Sequence, residues 1–120
     1  MSTLENIKKG ISAHGMWKQR LLDAIKTGQS EWSPTDVKQD NQCEFGKWLY
    51  SCSSEEKGSE YYNEIKDLHA QFHTCAGGIL EQALSGKTEE ATKAVDMGSE
   101  YRTISSKLTS EMMKWKKAVE

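Results

Sequence analysis

Leu4, Ile7, Ile11, His14, Lys18, Leu21 and Ile25 recur at alternating steps of three and four. That spacing lines up one face of an α-helix. Ser2 and Glu5 stand as a Ser-x-x-Glu capping box at its start, and Thr27-Gly28 marks its end. Gly10 and Gly15 lie in the interior of this helix. Each weakens it by up to about 1 kcal/mol relative to alanine, so close packing is the expected reason for both.

A polar connection follows. In "QSEWSPTDVKQDN", Pro34 fixes a turn or opens a short helical turn. "CEFGKWLY", Cys43 to Tyr50, is a short apolar segment of one or two helical turns, and "SCSSEEKGS" returns to loop. A helix from Glu60 to Leu84 then carries Tyr62, Ile65, His69, Phe72, Ala76, Ile79 and Ala83 on one stripe. Gly86 and Lys87 end it, and Thr88 is expected to cap the next, with Glu89 and Glu90 favourable in the first turn. Ala91, Ala94, Gly98, Tyr101, Ser105, Leu108, Met112, Trp115 and Val119 continue one stripe to the end of the chain. The spacing predicts a last helix of about 30 residues and about 45 Å. The fold class is therefore all-α, a four-helix-type bundle. A short helical segment carrying Cys-x-Phe-Gly-x-Trp joins its first and third helices, with residues 1–120 read as a single domain.

Composition narrows the function classes. A net charge of −2 gives no electrostatic reason to expect nucleic acid. No apolar run approaches the roughly 18 residues of a membrane span, and "MSTLENIKKGIS" has no signal-peptide apolar stretch. A soluble, cytoplasmic protein is expected. Three cysteines are an odd count, and in that compartment reduced thiols are the default.

The chain has three histidines, and all of them fall on inward faces. His69 and His73, at i and i+4, put two imidazoles on one side of a helix. His14 can meet them from the facing helix, and Cys43 is the natural fourth donor. Three imidazole nitrogens and a thiolate suit zinc. Each residue also has a plainer reading: an inward histidine as a satisfied core group, an HxxxH pair as incidental, a buried cysteine as a small apolar side chain. Three unpartnered imidazoles in one small core would be costly, which favours metal.

At these positions the sequence resembles the chemoreceptor zinc-binding domain family, CZB. The likeness rests on "HGMW" (His14 to Trp17), "CEFGKWLY" (Cys43 to Tyr50) and "HAQFH" (His69 to His73), in that order. The resemblance implies a four-helix bundle with one Zn2+ held by His14, Cys43, His69 and His73. It further implies a cytosolic sensory role, usually attached to bacterial chemoreceptors or diguanylate cyclases, with zinc or oxidants such as hypochlorous acid as stimuli at Cys43. Members usually adjoin an output domain, and none is legible in this chain. Met1 before a well-formed helix start favours a free-standing member. Cys52 and Cys75 match no ligand position and read as ordinary small side chains, with Cys52 in a polar loop as an exposed thiol at most.

A zinc-bound cysteine is a standing thiolate, so Cys43 is the expected redox-reactive group. Its oxidation would release the segment carrying Phe45, Trp48 and Leu49, with Gly46 permitting a tight turn or close approach. Trp17 and Phe72 join Phe45, Gly46 and Trp48 as supporting residues, and Trp32 covers one end of the bundle. Zinc availability is the second stimulus to weigh, and a zinc-stapled interaction or dimerisation module without sensing is the main rival. The final helix, with Met112, Met113 and Trp115, suggests a homodimer surface on which Met113 lies off the stripe. A zinc hydrolase built on the three histidines alone would need Cys43 to be no ligand, and Ala70 stands where an H-E-x-x-H motif needs its glutamate. A di-iron carrier lacks its Glu-x-x-His pairs, because Lys66 and Ala70 precede His69 and His73 by three.

Overall fold

Eight helical elements follow one another in the computed structural model, which describes residues 2–96 and 98–120. They are α1 (Thr3–Gly15), α2 (Trp17–Thr27), α3 (Pro34–Val37), α4 (Glu44–Ser51), α5 (Ser54–Lys57), α6 (Tyr62–Leu84), α7 (Thr88–Val95) and α8 (Glu100–Val119). No strand occurs among the described residues, so the all-α expectation holds. Among them, too, no helix is long and apolar enough to cross a membrane.

The first predicted helix is α1 and α2 end to end. Met16 between them keeps right-handed helical torsions while its N–H tightens onto the Ala13 carbonyl at 3.3 Å. Its buried face runs through Ile7, Gly10, His14, Trp17, Leu21 and Ala24. Lys18, placed on the stripe by spacing alone, is exposed and Trp17 lies inside instead. An indole gains more from burial than an ammonium can bear to lose in hydration. Gly10 is closely packed as expected, since a Cβ there would lie 2.5 Å from Phe45 Cδ1 and 2.8 Å from Met112 Cε. Gly15 is not: a Cβ there would meet nothing within 4 Å.

α6 is the central element, packed against α2, α3, α7 and α8. Its predicted stripe is wholly buried, and Leu68, His73, Gly77 and Leu80 widen it to a second inward face. Gly86, at φ +79°, ends the helix, with Lys87 N–H returning to the Gln82 carbonyl at 2.9 Å. Thr88 begins α7 but does not cap it; Lys87 occupies the cap position and makes no side-chain cap bond.

The last long helix is broken, contrary to the stripe. Asp96 is extended, Gly98 takes φ +85°, and Ser99 caps α8 by accepting the Arg102 N–H. A left-handed glycine followed by a strong N-cap residue stops one helix and starts another even where the apolar spacing runs on. The loop expected after α4 is also partly helical. Ser53 and Glu56 form a capping box on α5, and Thr3 Oγ1 donates to Glu56 Oε2 at 2.6 Å, tying this turn to the start of α1.

Cys52 is buried at 7% exposure rather than exposed, and burial pushes its thiol up to about 11. Met113 is exposed as expected, whereas Met112 and Trp115 are buried within the chain's own core and offer no surface to a partner.

Candidate metal centre

Three separate elements bring four donors together. His14 comes from the inner face of α1, Cys43 from the N-cap of α4, and His69 and His73 from successive turns of α6. Their ligand atoms all lie within 4.8 Å of one another. His73 Nε2 stands 3.0 Å from His69 Nε2 and 3.4 Å from His14 Nε2. Cys43 Sγ stands 3.3, 3.5 and 4.0 Å from the Nε2 atoms of His69, His73 and His14. Zinc's usual bond lengths set tetrahedron edges of about 3.3 Å between nitrogens and about 3.6 Å between nitrogen and sulfur. The cluster has that size.

Hydrogen bonding fixes which ring atoms point inward. His14 Nδ1–H donates to the Gly10 carbonyl one turn back at 2.6 Å, and His73 Nδ1–H to the Val37 carbonyl at 2.9 Å. With the proton held at Nδ1, each neutral ring turns a bare Nε2 lone pair toward the other and toward the sulfur. Lone pairs at such separations repel unless a cation lies among them. His69 Nδ1 is buried without any partner, so no hydrogen bond on that side fixes the ring, which is placed by packing and by the neighbours of its Nε2.

The surroundings disfavour protons on these rings. Burial holds His14 down at about 4 and His69 at about 2, the latter helped by the neighbouring His14 and His73. His73 is lowered by burial, partly offset by its bond to Val37. Burial raises the Cys43 thiol, against which the N–H groups of Gly46 and Phe45 act. A divalent cation reverses that last balance and makes the sulfur a thiolate.

Local sequence explains how α4 presents its sulfur. Cys43 is extended at the N-cap, and its Sγ accepts the Gly46 N–H at 3.3 Å. Gly46 is where the chain crosses itself: a Cβ there would lie 1.7 Å from the Asp40 carbonyl oxygen and 3.1 Å from His69 Cε1. The close approach expected of this glycine is therefore present. Tyr50 donates to the Asp40 carboxylate at 3.0 Å, and Tyr62 donates to the Leu49 carbonyl at 2.7 Å.

Aromatic rings wall the cluster. Phe45 lies edge-on to His14 and His69, at 5.6 and 5.3 Å between centroids, and Phe72 to His14 and His73, at 5.2 and 5.7 Å. Trp48 backs Phe45 at 5.7 Å and reaches Trp115 at 5.4 Å. Trp17 pairs instead with Trp32 at 5.5 Å, under the Arg20 guanidinium.

Two supports escaped the sequence reading. Val37 serves through a backbone carbonyl, which no side-chain identity announces. Gly77 makes the notch in which α3 seats: a Cβ there would lie 2.4 Å from Lys38 Cγ and 3.0 Å from both Lys38 N and Pro34 O. The Gly77-Gly78 pair inside a long helix was its available signal.

No curated protein and no solved structure matches the chain significantly. The family model described as the chemoreceptor zinc-binding domain does match, over residues 14–80. That span covers more than half of the chain and holds all four donors. With zinc as the ion this donor set selects, the chain belongs to the chemoreceptor zinc-binding domain family, CZB.

Proposed function

We propose that His14, Cys43, His69 and His73 hold one zinc ion and that the domain is a cytoplasmic sensor answering to oxidant at Cys43. The observation that carries this reading is an asymmetry of exposure. His14, His69 and His73 are 4%, 0% and 3% exposed, while the sulfur donor is only part-buried. Of the four residues, Cys43 offers a stimulus arriving from solvent the most surface.

Bound zinc supplies the positive charge that keeps Cys43 a thiolate. The chain does the rest. The Gly10 and Val37 carbonyls hold protons at Nδ1 of His14 and His73, so both rings stay oriented. Cys43 holds the start of α4, both toward the imidazoles and through the Gly46 N–H. Hypochlorous acid takes two electrons from the sulfur; the hydroxyl oxygen stays on sulfur as S–OH and chloride leaves. The charge is lost, and α4 loses its tether along with the docking of Phe45, Trp48 and Leu49. That movement is the signal, passed to an output of the chemoreceptor or diguanylate cyclase type.

Metal analysis before and after one equivalent of hypochlorous acid, with Cys43 followed by mass spectrometry, tests the reading. The expected result is one zinc per untreated chain, oxygen added at Cys43, and a changed Trp48 environment in fluorescence. A zinc that only staples the fold would instead give general helix loss in circular dichroism once Cys43 is oxidised, not a change confined to α4 and Trp48. A domain reporting zinc availability would instead change its fluorescence on chelation and not on oxidation.

A further inference from the structure

A cleft of about 470 Å³ lies between α1 and α4 and ends on the donor cluster. Its buried lining is Gly10, His14 and Phe45, its exposed lining includes Lys9, Ala13 and Glu44, and the part-buried Cys43 stands between the two sets. Lys9 and Glu44 put one charge of each sign at the outer edge. No lysine or arginine is found among the buried lining residues, and Phe45 gives them an aromatic wall.

We propose that this cleft is the route by which small uncharged oxidants reach Cys43, and that it selects against anionic and bulky ones. The inference rests on the reading of Cys43 as the reactive thiolate and names the reagent class that gets to it. An anion entering would shed its hydration against Phe45 and Gly10 with no buried lysine or arginine to receive it, and a zinc already held by four side chains offers it no open position. An uncharged molecule such as undissociated hypohalous acid loses little. At the sulfur the balance is simple: the thiolate gains S–OH, two electrons pass to the halogen, and halide leaves.

Gly10 keeps the cleft's inner wall in place. Phe45 packs onto it at a distance no Cβ would tolerate, with its ring nearly perpendicular to that of His14 at 5.6 Å between centroids. Ala13, one turn further along α1 and exposed, is the position at which a larger side chain would fill the outer cleft without entering the core.

Two methanethiosulfonates with the same two-carbon arm, one neutral (hydroxyethyl) and one anionic (sulfonatoethyl), make the test on the zinc-loaded protein. Each transfers its thiol part to Cys43 as a mixed disulfide while methanesulfinate leaves, and peptide mapping gives the rate at Cys43 alone. In the unmodified protein the neutral reagent should label Cys43 about ten-fold faster or more, after correction for rates with a free thiol. Ala13→Trp should slow the neutral reagent by about ten-fold, since access then limits the reaction. Lys9→Glu, a change at an exposed position, should slow the anionic reagent further and leave the neutral one unchanged. Equal corrected rates for the two reagents in the unmodified protein would overturn the route, whatever the variants do. So would an unchanged neutral rate in an Ala13→Trp protein that still holds zinc. Zinc release, followed with a chromophoric chelator, is read separately. If Cys43 is labelled with the predicted selectivity while zinc neither leaves nor was bound, the route stands and the zinc–thiolate reading is the one that fails.

Discussion

His73 donates its Nδ1–H to the carbonyl of Val37 at 2.9 Å, across the junction where α3 sits on α6 directly over Gly77. The bond fixes one tautomer of one donor, and it exists because Gly77, four residues beyond His73, has no side chain to hold α3 away. Lys38, next to Val37, completes the junction with an ion pair to Glu81 at 2.7 Å, exposed enough to add little.

Gly77→Ala should therefore weaken zinc binding without touching a ligand. The added methyl meets backbone atoms of Lys38 and Pro34 at 3.0 Å, so α3 must lift and the Val37 carbonyl goes with it. Loss of such an outer partner costs about 10- to 100-fold in metal affinity, measurable by competition with a chelator. Gly78→Ala is the matched control, because a Cβ there meets nothing within 4 Å. It should leave affinity unchanged and raise thermal stability by up to about 1 kcal/mol through helix propensity. Equal behaviour of the two variants would remove Gly77 from the site.

Gly46→Ala should be far more damaging. Its Cβ would fall 1.7 Å from the Asp40 carbonyl oxygen, a backbone atom with no freedom to rotate aside. Either the 40–46 turn opens and the Cys43 sulfur leaves the cluster, or α4 undocks with Phe45 and Leu49. Both outcomes predict substoichiometric zinc and a loss of stability of several kcal/mol, in the range of large core disruptions. Metal analysis together with urea unfolding of the purified variant would read them.

The contrast between these two glycines shows what the sequence carried. Gly46 was legible because it sits inside Cys-x-Phe-Gly-x-Trp, beside an obvious donor. Gly77 acts through a carbonyl on another element, and only the fold puts the two together. The four donors were legible for a different reason: histidine is scarce in this chain, all three fell at inward spacing, and Cys43 opens the short apolar segment between the helices that carry them. Spacing was weaker evidence where side-chain chemistry competed with it. It placed Lys18 inside where Trp17 belongs, and it ran one helix through Gly98, whose left-handed torsion and the Ser99 cap end it. Cys52 behaves as the ordinary small side chain expected of it; only the exposure that its polar sequence neighbours suggested is absent, because the fold brings it into the core.

The metal-free protein should be sensitive to acid. His14 and His69 lie at about 4 and about 2 in the fold, and His73 is lowered as well, against 6.5 for an unperturbed histidine. The unfolded chain thus binds more protons below pH 6.5. The stability tied to these rings is complete above that pH and is withdrawn as pH falls through 6.5 toward the folded values. His14 alone removes about 3 kcal/mol by pH 4, a large share of a typical domain's stability. Circular dichroism of chelator-treated protein should show helix loss between pH 6 and pH 4. Zinc-loaded protein should resist to lower pH, because protons must first displace the ion. Coincident acid transitions for the two forms would mean that the imidazoles do not face one another as described.

Cys43→Ser separates the sulfur's chemistry from its position. A serine hydroxyl matches the N-cap role, since serine is a favoured cap, and can accept the Gly46 N–H that the sulfur accepts at 3.3 Å. The start of α4 should therefore stay folded and its helix content unchanged. The three imidazoles still converge, so zinc should bind, but more weakly, because a neutral hydroxyl replaces the thiolate that balanced part of the ion's charge. What should vanish is the response. One equivalent of hypochlorous acid should add no oxygen at residue 43 and leave the Trp48 fluorescence where it was, while the unmodified protein changes both. If the variant's fluorescence still shifts on oxidation, the signal starts at another side chain, and Cys75, half-buried on α6, is the thiol to examine next.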